Sequence, residues 1–161
     1  MTSGDELREV MRRHPVGVSV VTVDREGERL GLTVASLVSV ALEPPLVAIS
    51  IARQAALHEL LRAAAGFGVS LLGADQVALA QHFARGVPPI ALWHGIEVLE
   101  GSRGPLLAGA VGWLECELQS EHEAGDHTLF VGLVERAEQG VDGPPLIRLG
   151  GEYQSLPTEI V

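Results

Sequence analysis

The side chains able to do chemistry in this chain are few and scattered. Six histidines, His14, His58, His82, His94, His122 and His127, include no pair at the i, i+4 spacing that lets one helix face grip a metal, so a metal centre is not expected. The lone cysteine, Cys116, sits in an apparent strand, Trp113-Leu114-Glu115-Cys116-Glu117-Leu118, with no second thiol and no basic neighbour to favour the thiolate, and reads as a small buried hydrophobe. All 11 basic residues are Arg, so Schiff-base chemistry through Lys is excluded. No Gly-x-Ser-x-Gly elbow presents a nucleophilic serine. Neither a Gly-x-Gly-x-x-Gly after a strand nor a Gly-x-x-x-x-Gly-Lys loop is present, so any nucleotide is held by other means.

Two short segments remain. In Gly31-Leu32-Thr33-Val34-Ala35-Ser36-Leu37-Val38-Ser39, apolar and small polar residues alternate. On a strand this puts Thr33, Leu37 and Ser39 on one face and Val34, Ser36 and Val38 on the other. Small hydroxyls leave room for a planar ligand against the backbone, although an ordinary strand would satisfy the same pattern. Gly125-Asp126-His127 falls in a turn between two strands, where a histidine can bond a carbonyl or carry charge near neutral pH. Taken singly, each segment also fits a purely structural role.

The elements that must position them follow from periodicity. Ser3 and Glu6 stand at capping-box spacing ahead of Leu7, Val10 and Met11, predicting an amphipathic helix over about 3–13 that stops before Pro15. The β-branched run from Val18 to Val23 predicts a buried strand, Asp24-Arg25-Glu26-Gly27 a hairpin turn, and 32–40 a long second strand broken by Pro44-Pro45. A further strand starts at Leu46, and Gln54 to Ala65 reads as a helix closed by Gly66. Phe67 to Leu72 is a strand, and Asp75 opens a helix that ends at Gly86-Val87-Pro88-Pro89. Strands over 110–118, 128–134 and near 146–149 complete the chain. Hairpin-linked strands with a few inserted helices favour an antiparallel barrel with peripheral helices over a parallel doubly wound sheet.

Length and composition bound the rest. At 161 residues, the chain is one domain, 1–161. A net charge of -10 is the wrong sign for a nucleic-acid partner. No apolar run reaches membrane-spanning length, and the N-terminus lacks the pattern of a signal peptide, so a cytoplasmic, reduced protein is expected. With 47% hydrophobic residues the chain holds more apolar surface than a monomer needs, which points to an oligomer.

In order and spacing, the segments resemble the flavin reductase family, the reductase components of two-component monooxygenases. The similarity runs from Met11-Arg12-Arg13-His14-Pro15-Val16-Gly17-Val18, through Gly31 to Ser36, Ser39 with Pro44-Pro45-Leu46-Val47, Phe67 to Leu72, the Gln76 to Ala84 helix, and Gly125-Asp126-His127 with Gly132-Leu133-Val134. It ends at the stretch from Pro145 to Tyr153. The resemblance implies a mainly β, antiparallel split β-barrel and a homodimer with flavin, FMN or FAD, near the subunit interface. NADH or NADPH would be the co-substrate, and a separate oxygenase component would receive the reduced flavin. It further implies flavin contacts from Thr33, Val34, Ala35, Ser36 and Ser39, from Ser50, Ile51, Ala52 and Arg53, and from Phe83, Asp126 and Tyr153. His127 would lie where flavin and nicotinamide meet. Where relatives carry hydroxyls near the flavin phosphate, this chain has Ala55 and Leu57, so phosphate would rely on Arg53, on amides opening the next helix, or on the partner chain. Ser70 stands where Asn is common. The alternative is a flavin-binding electron carrier on the same barrel without efficient NAD(P)H turnover.

Overall fold

The computed structural model describes residues 1–157. Helix α1 (Gly4–Met11) opens the chain under the expected capping box: the Glu6 amide donates to Ser3 Oγ at 3.2 Å, and the Ser3 amide donates to Glu6 Oε2 at 2.7 Å. The strands are β1 (Val16–Gly17), β2 (Ser19–Arg25), β3 (Glu28–Val34), β4 (Val38–Leu42), β5 (Pro45–Ala52), β6 (Gly66–Leu71), β7 (Val98–Leu99), β8 (Leu106–Leu107), β9 (Gly112–Ala124), β10 (His127–Gln139), β11 (Leu146–Leu149) and β12 (Glu152–Ser155). Helices α2 (Ala56–Ala64), α3 (Val77–Ala84) and α4 (Pro89–Leu92) are inserted between them.

Seven strands form one antiparallel sheet in the order β3-β2-β6-β9-β10-β5-β4. Its two edge strands are consecutive in the chain, joined only by Ala35, Ser36 and Leu37. Six inter-strand steps of about 4.8 Å would separate the edges of a flat sheet by roughly 29 Å, whereas three connecting residues span at most about 14 Å, so the sheet must curl until its edges nearly meet. This is the split barrel, and the bend at 35–37 is its seam. Helices α2 and α3 pack over β2 and β3. That cover explains why β2 is buried without alternation from Ser19 to Val23. Phe67, Phe83, Phe130, Ile49, Ile51 and Leu61 fill the interior. A second, three-stranded sheet, β1-β11-β12, closes one end.

Several expectations need correction. The strand expected over 32–40 is two strands, because the chain turns the seam at 35–37; Thr33 and Ser39 therefore do not share a face. Helix α2 is closed by Ala65 in the left-handed region (φ 54°), not by Gly66, which already belongs to β6. A side chain at 66 would collide with the Cys116 carbonyl oxygen, 2.7 Å from where its Cβ would stand. Strands β9 and β10 reach 13 residues each, running past the apolar stretches into charged positions that ladder bonding alone sustains. Helix α1 buries none of its residues; its apolar positions Leu7, Val10 and Met11 are exposed.

Candidate functional site

At the end of β3 the backbone leaves the ladder, and side chains take over. Thr33 donates its hydroxyl to the Ala80 carbonyl at 2.6 Å, tying β3 to α3, while Val34 is buried and Ala35 exposed. Ser36 bridges the seam: its Oγ donates to the Ser50 carbonyl at 3.1 Å and accepts from the Ser50 amide at 3.0 Å. Among the described residues, no backbone-to-backbone hydrogen bond outside the regular elements involves 35, 36 or 37, so their main-chain groups are left to solvent or a ligand. Ser39 lies apart, exposed on edge strand β4 opposite Val47.

Strand β5 carries the next group. It pairs with β10 in a register that sets Ser50 against Leu129, Ile51 against Thr128 and Ala52 against His127. Ile51 belongs to the core, whereas Ser50 and Ala52 are only half-buried. Immediately beyond, Arg53 clamps the β9–β10 turn twice: its amide donates to the Asp126 carbonyl at 3.0 Å, and its guanidinium donates to the Gly125 carbonyl at 2.7 Å. Gly125 supplies the left-handed φ of 62° that the turn requires. One N–H of the Arg53 guanidinium is thus spent on positioning the turn, and its remaining donors are left for a ligand.

His127 Nδ1 lies 2.7 Å from Asp126 Oδ1, and the imidazole is 42% exposed. The hydrogen bond from His127, and then its charge, hold the Asp126 carboxyl below its ordinary value. With Nδ1 committed to Asp126, Nε2 is the nitrogen left for a ligand. Thus Ser36, Ser50, Ala52, Arg53, Asp126 and His127 belong to one continuous, bonded end of the barrel, beside the seam.

A cleft of about 390 Å³ lies on the helical side of β3, lined by Gly31, Leu32, residues 54–57 leading into α2, Phe83 and residues 86–89 leading into α4. Gly31 is required there: a Cβ would stand 2.7 Å from the Phe83 ring. Phe83 itself is 2% exposed and packs against Trp93 with ring centroids 5.2 Å apart, so it supports the cleft wall from the core. Leu57, expected from the resemblance to stand in place of a hydroxyl, is a core residue at 2% exposure. The N-cap, Ala55, makes no side-chain cap, so the first amides of α2 have no local side-chain acceptor. An uncapped helix start at a cleft suits a phosphate, so the first turn of α2 fits the phosphate of a flavin.

Not every expected residue joins this group. Tyr153 lies on β12 in the second sheet under the Arg148 guanidinium, and among the described residues no hydrogen bond links it to the seam. Ser70 is fully buried, and its Oγ accepts from the Leu107 amide at 2.9 Å, a structural role. Cys116 is buried and its thiol is pushed up to about 12, chiefly by burial, as a structural cysteine should be.

Sequence reasoning missed His58. Buried on α2, it lies 2.8 Å from Thr128 Oγ1 through Nε2 and 2.9 Å from Glu59 Oε1 through Nδ1, and it packs edge-on against Phe130. It thus braces the residue next to His127 from beneath. The signal was available: His58 directly follows Leu57 in a helix whose apolar face is Leu57, Leu60 and Leu61.

Residues 11–157 match the family model described as "Flavin reductase like domain". The reductase component of 4-hydroxyphenylacetate 3-monooxygenase from Thermus thermophilus is 38% identical over 152 residues, covering 94% of this chain and 96% of that protein. An NADH-dependent FAD reductase from Streptomyces globisporus is 39% identical over 153 residues, covering 92% of this chain and 84% of that one. The solved structure of the NADH:FAD oxidoreductase of Streptomyces globisporus C-1027, in complex with NAD and FAD fragments, superimposes with a TM-score of 0.89 at 37% identity, covering 95% of this chain and 92% of that one. The fold is therefore shared with that solved structure, and this chain belongs to the flavin reductase-like family.

Proposed function

We propose that the chain is an NADH-dependent flavin reductase that passes reduced flavin to a separate oxygenase component. The observation that carries this reading is the pair of clamps, Ser36 on Ser50 and Arg53 on Gly125, which gather three distant stretches of sequence at the barrel seam. Family membership and the names of the similar proteins support it. Bound flavin supplies the hydride acceptor, and the nicotinamide supplies the donor.

The residues of the chain bind and orient. Main-chain groups at 35–37 and half-buried Ser50 and Ala52 offer hydrogen bonds along one ring system, Thr33 and Val34 hold the seam in place, and Ser39 flanks its far side. Core residues Ile51 and Phe83 keep these walls rigid. The first turn of α2 would receive the phosphate. His127, anchored by Asp126 and braced through Thr128 by His58, presents Nε2 where charge develops during transfer, so its contribution is electrostatic and positional. Tyr153 would reach a bound flavin from the second sheet.

A homodimer accords with the apolar residues left exposed on edge strand β4, Val38, Val40 and Leu42, and on α1. Light scattering on the purified protein would show a dimer. A cytoplasmic location accords with a nicotinamide co-substrate and an unpaired buried thiol; no helix is long and apolar enough to cross a membrane. The deciding experiment is a titration with FMN and with FAD, followed by anaerobic mixing with NADH and with NADPH. Saturable binding and rapid loss of the oxidised flavin spectrum are expected. Binding without bleaching by either nucleotide would establish the electron-carrier alternative instead.

A further inference from the structure

The stretch from Arg53 to Arg62 is fastened to the β9–β10 hairpin at several points. The Arg53 amide and guanidinium hold the Asp126 and Gly125 carbonyls, and farther along α2 the Arg62 guanidinium donates to Glu121 at 3.0 and 2.7 Å. The side-chain bonds among these are exposed, so water competes for their donors and acceptors. One fastening is buried. His58 Nε2 lies 2.8 Å from Thr128 Oγ1, with His58 4% and Thr128 5% exposed.

The protons of this bond follow from its surroundings. His58 Nδ1 lies 2.9 Å from Glu59 Oε1, a carboxyl that stands 74% exposed and is held below its ordinary value first by the hydrogen bond from His58. A carboxylate only accepts, so Nδ1 carries the proton. In the neutral ring Nε2 is then an acceptor, and the Thr128 hydroxyl donates to it. The Phe130 ring, edge-on with centroids 5.2 Å apart, steadies the imidazole in that orientation. Thr128, His58 and Glu59 thus follow the hydroxyl, imidazole and carboxylate order of a hydrolytic triad, yet this hydroxyl is sealed in the core, where no substrate meets it. Its role is to hold.

What it holds is the strand that presents His127. Along β10 the side chains alternate: Thr128 and Phe130 are buried in the core, while His127 and Leu129, half-buried, face the opposite side. Fixing Thr128 from the core side therefore fixes the backbone from which His127 projects. On the other partner, α2 begins at Ala56, two residues before His58, and its uncapped first turn is the part of the cleft that suits a phosphate. One buried hydrogen bond accordingly links the anion end of the cleft to the strand carrying the imidazole.

We propose that His58, acting through Thr128, is a positioning residue that keeps His127 in register with the first turn of α2. The inference rests on the reductase reading for the reaction it serves, whereas the geometry it asserts is testable with neither flavin nor nicotinamide present. Misplacing a group in a reacting site by about 1 Å costs up to roughly a hundredfold in rate, so a single tether at this point matters.

The test sets Thr128→Val and His58→Phe, which remove the bond at nearly constant shape, against Thr128→Ser and His58→Gln, which retain a hydroxyl and an acceptor; thermal melting checks the folding of each. In the flavin-free chain, amide relaxation-dispersion NMR should show exchange broadening at Gly125, Asp126 and His127 in His58→Phe, and parental signals in His58→Gln. In steady state, kcat should fall about tenfold in Thr128→Val, as for losing one buried hydrogen bond, with the KM values for flavin and NADH changed by less than about twofold. Thr128→Ser should keep the parental kcat. Placed in a His127→Ala background, Thr128→Val should cost nothing further, because it acts through the imidazole already removed. An undiminished kcat in Thr128→Val, an equal further loss in the His127→Ala background, or parental amide signals in His58→Phe would each overturn the proposal. Loss of folding in both bond-breaking variants would mark His58 as a residue of the fold alone and overturn it likewise. Should no nucleotide reduce flavin, the reductase reading fails, and the amide signals still decide whether His58 positions His127.

Discussion

Two carboxylates on one hairpin live in opposite circumstances. Glu115, in β9, is 3% exposed and accepts hydrogen bonds from the Ser102 amide and hydroxyl, the Arg103 amide and the Arg136 guanidinium. Asp126, at the turn, has a side chain 90% exposed and a single side-chain partner, His127. Burial pushes the Glu115 carboxyl up, but the Ser102 hydroxyl, the two amides and Arg136 outweigh it and hold it below its usual value. Both groups are therefore anionic near neutral pH, yet only one has anything left to offer. A saturated, buried charge organises the loop 101–105 against β9. An unsaturated, exposed one can orient a histidine for a ligand.

The contrast can be broken at either end. Glu115→Ala leaves the Ser102 amide and hydroxyl and the Arg103 amide without their acceptor, while Arg136 keeps Glu138, and should lower unfolding stability by about 2–3 kcal/mol, read by denaturant titration, with turnover per folded molecule unchanged. Because its folded pKa is depressed, Glu115 adds stability that is fully present above the unfolded carboxylate value of about 4.3 and is lost as pH falls through the lower folded value. The variant should accordingly show a flatter acid limb in its stability profile. Equal acid sensitivity in parent and variant would break the comparison.

His127→Ala should do the reverse. NADH-driven flavin reduction should fall on the order of a hundredfold, while stability stays within about 0.5 kcal/mol of the parent, as for an exposed residue outside the core. Unchanged turnover and unchanged NADH affinity would remove His127 from the site. The smallest effect sharpens the point about saturation: Thr22 Oγ1 is the buried side-chain polar atom left without a hydrogen-bond partner among the described residues. Replacing it, Thr22→Val, should gain about 1 kcal/mol in the same denaturant measurement, since it removes an unmet donor at nearly constant shape.

The strands were legible wherever their residues carried a local signal. The β-branched run into Val23 was read as β2 and the Asp24 to Gly27 turn as its hairpin, and the capping box placed α1, because each depends on neighbours in the chain. The seam was not. Residues 32–40 alternate like one strand, and only the need to bring β3 and β4 to opposite edges of a curled sheet breaks them at Ala35, a demand set by the whole topology. His127 was legible as a histidine in a turn, but Arg53 gripping that turn, and His58 bracing Thr128, depend on contacts 70 or more residues apart in the chain. The short strand carrying Tyr153 gave no local pattern because, among the described residues, β11 supplies its only ladder.

Ser36 shows what a side chain can do in place of main chain. By donating to and accepting from Ser50, its hydroxyl acts as one rung of a ladder whose backbone has turned away. Mutational tolerance at this position should then follow the geometry of the rung, with the hydroxyl required whether or not a cofactor ever binds. A serine kept there across evolution would testify to the closure of a barrel before it testified to flavin.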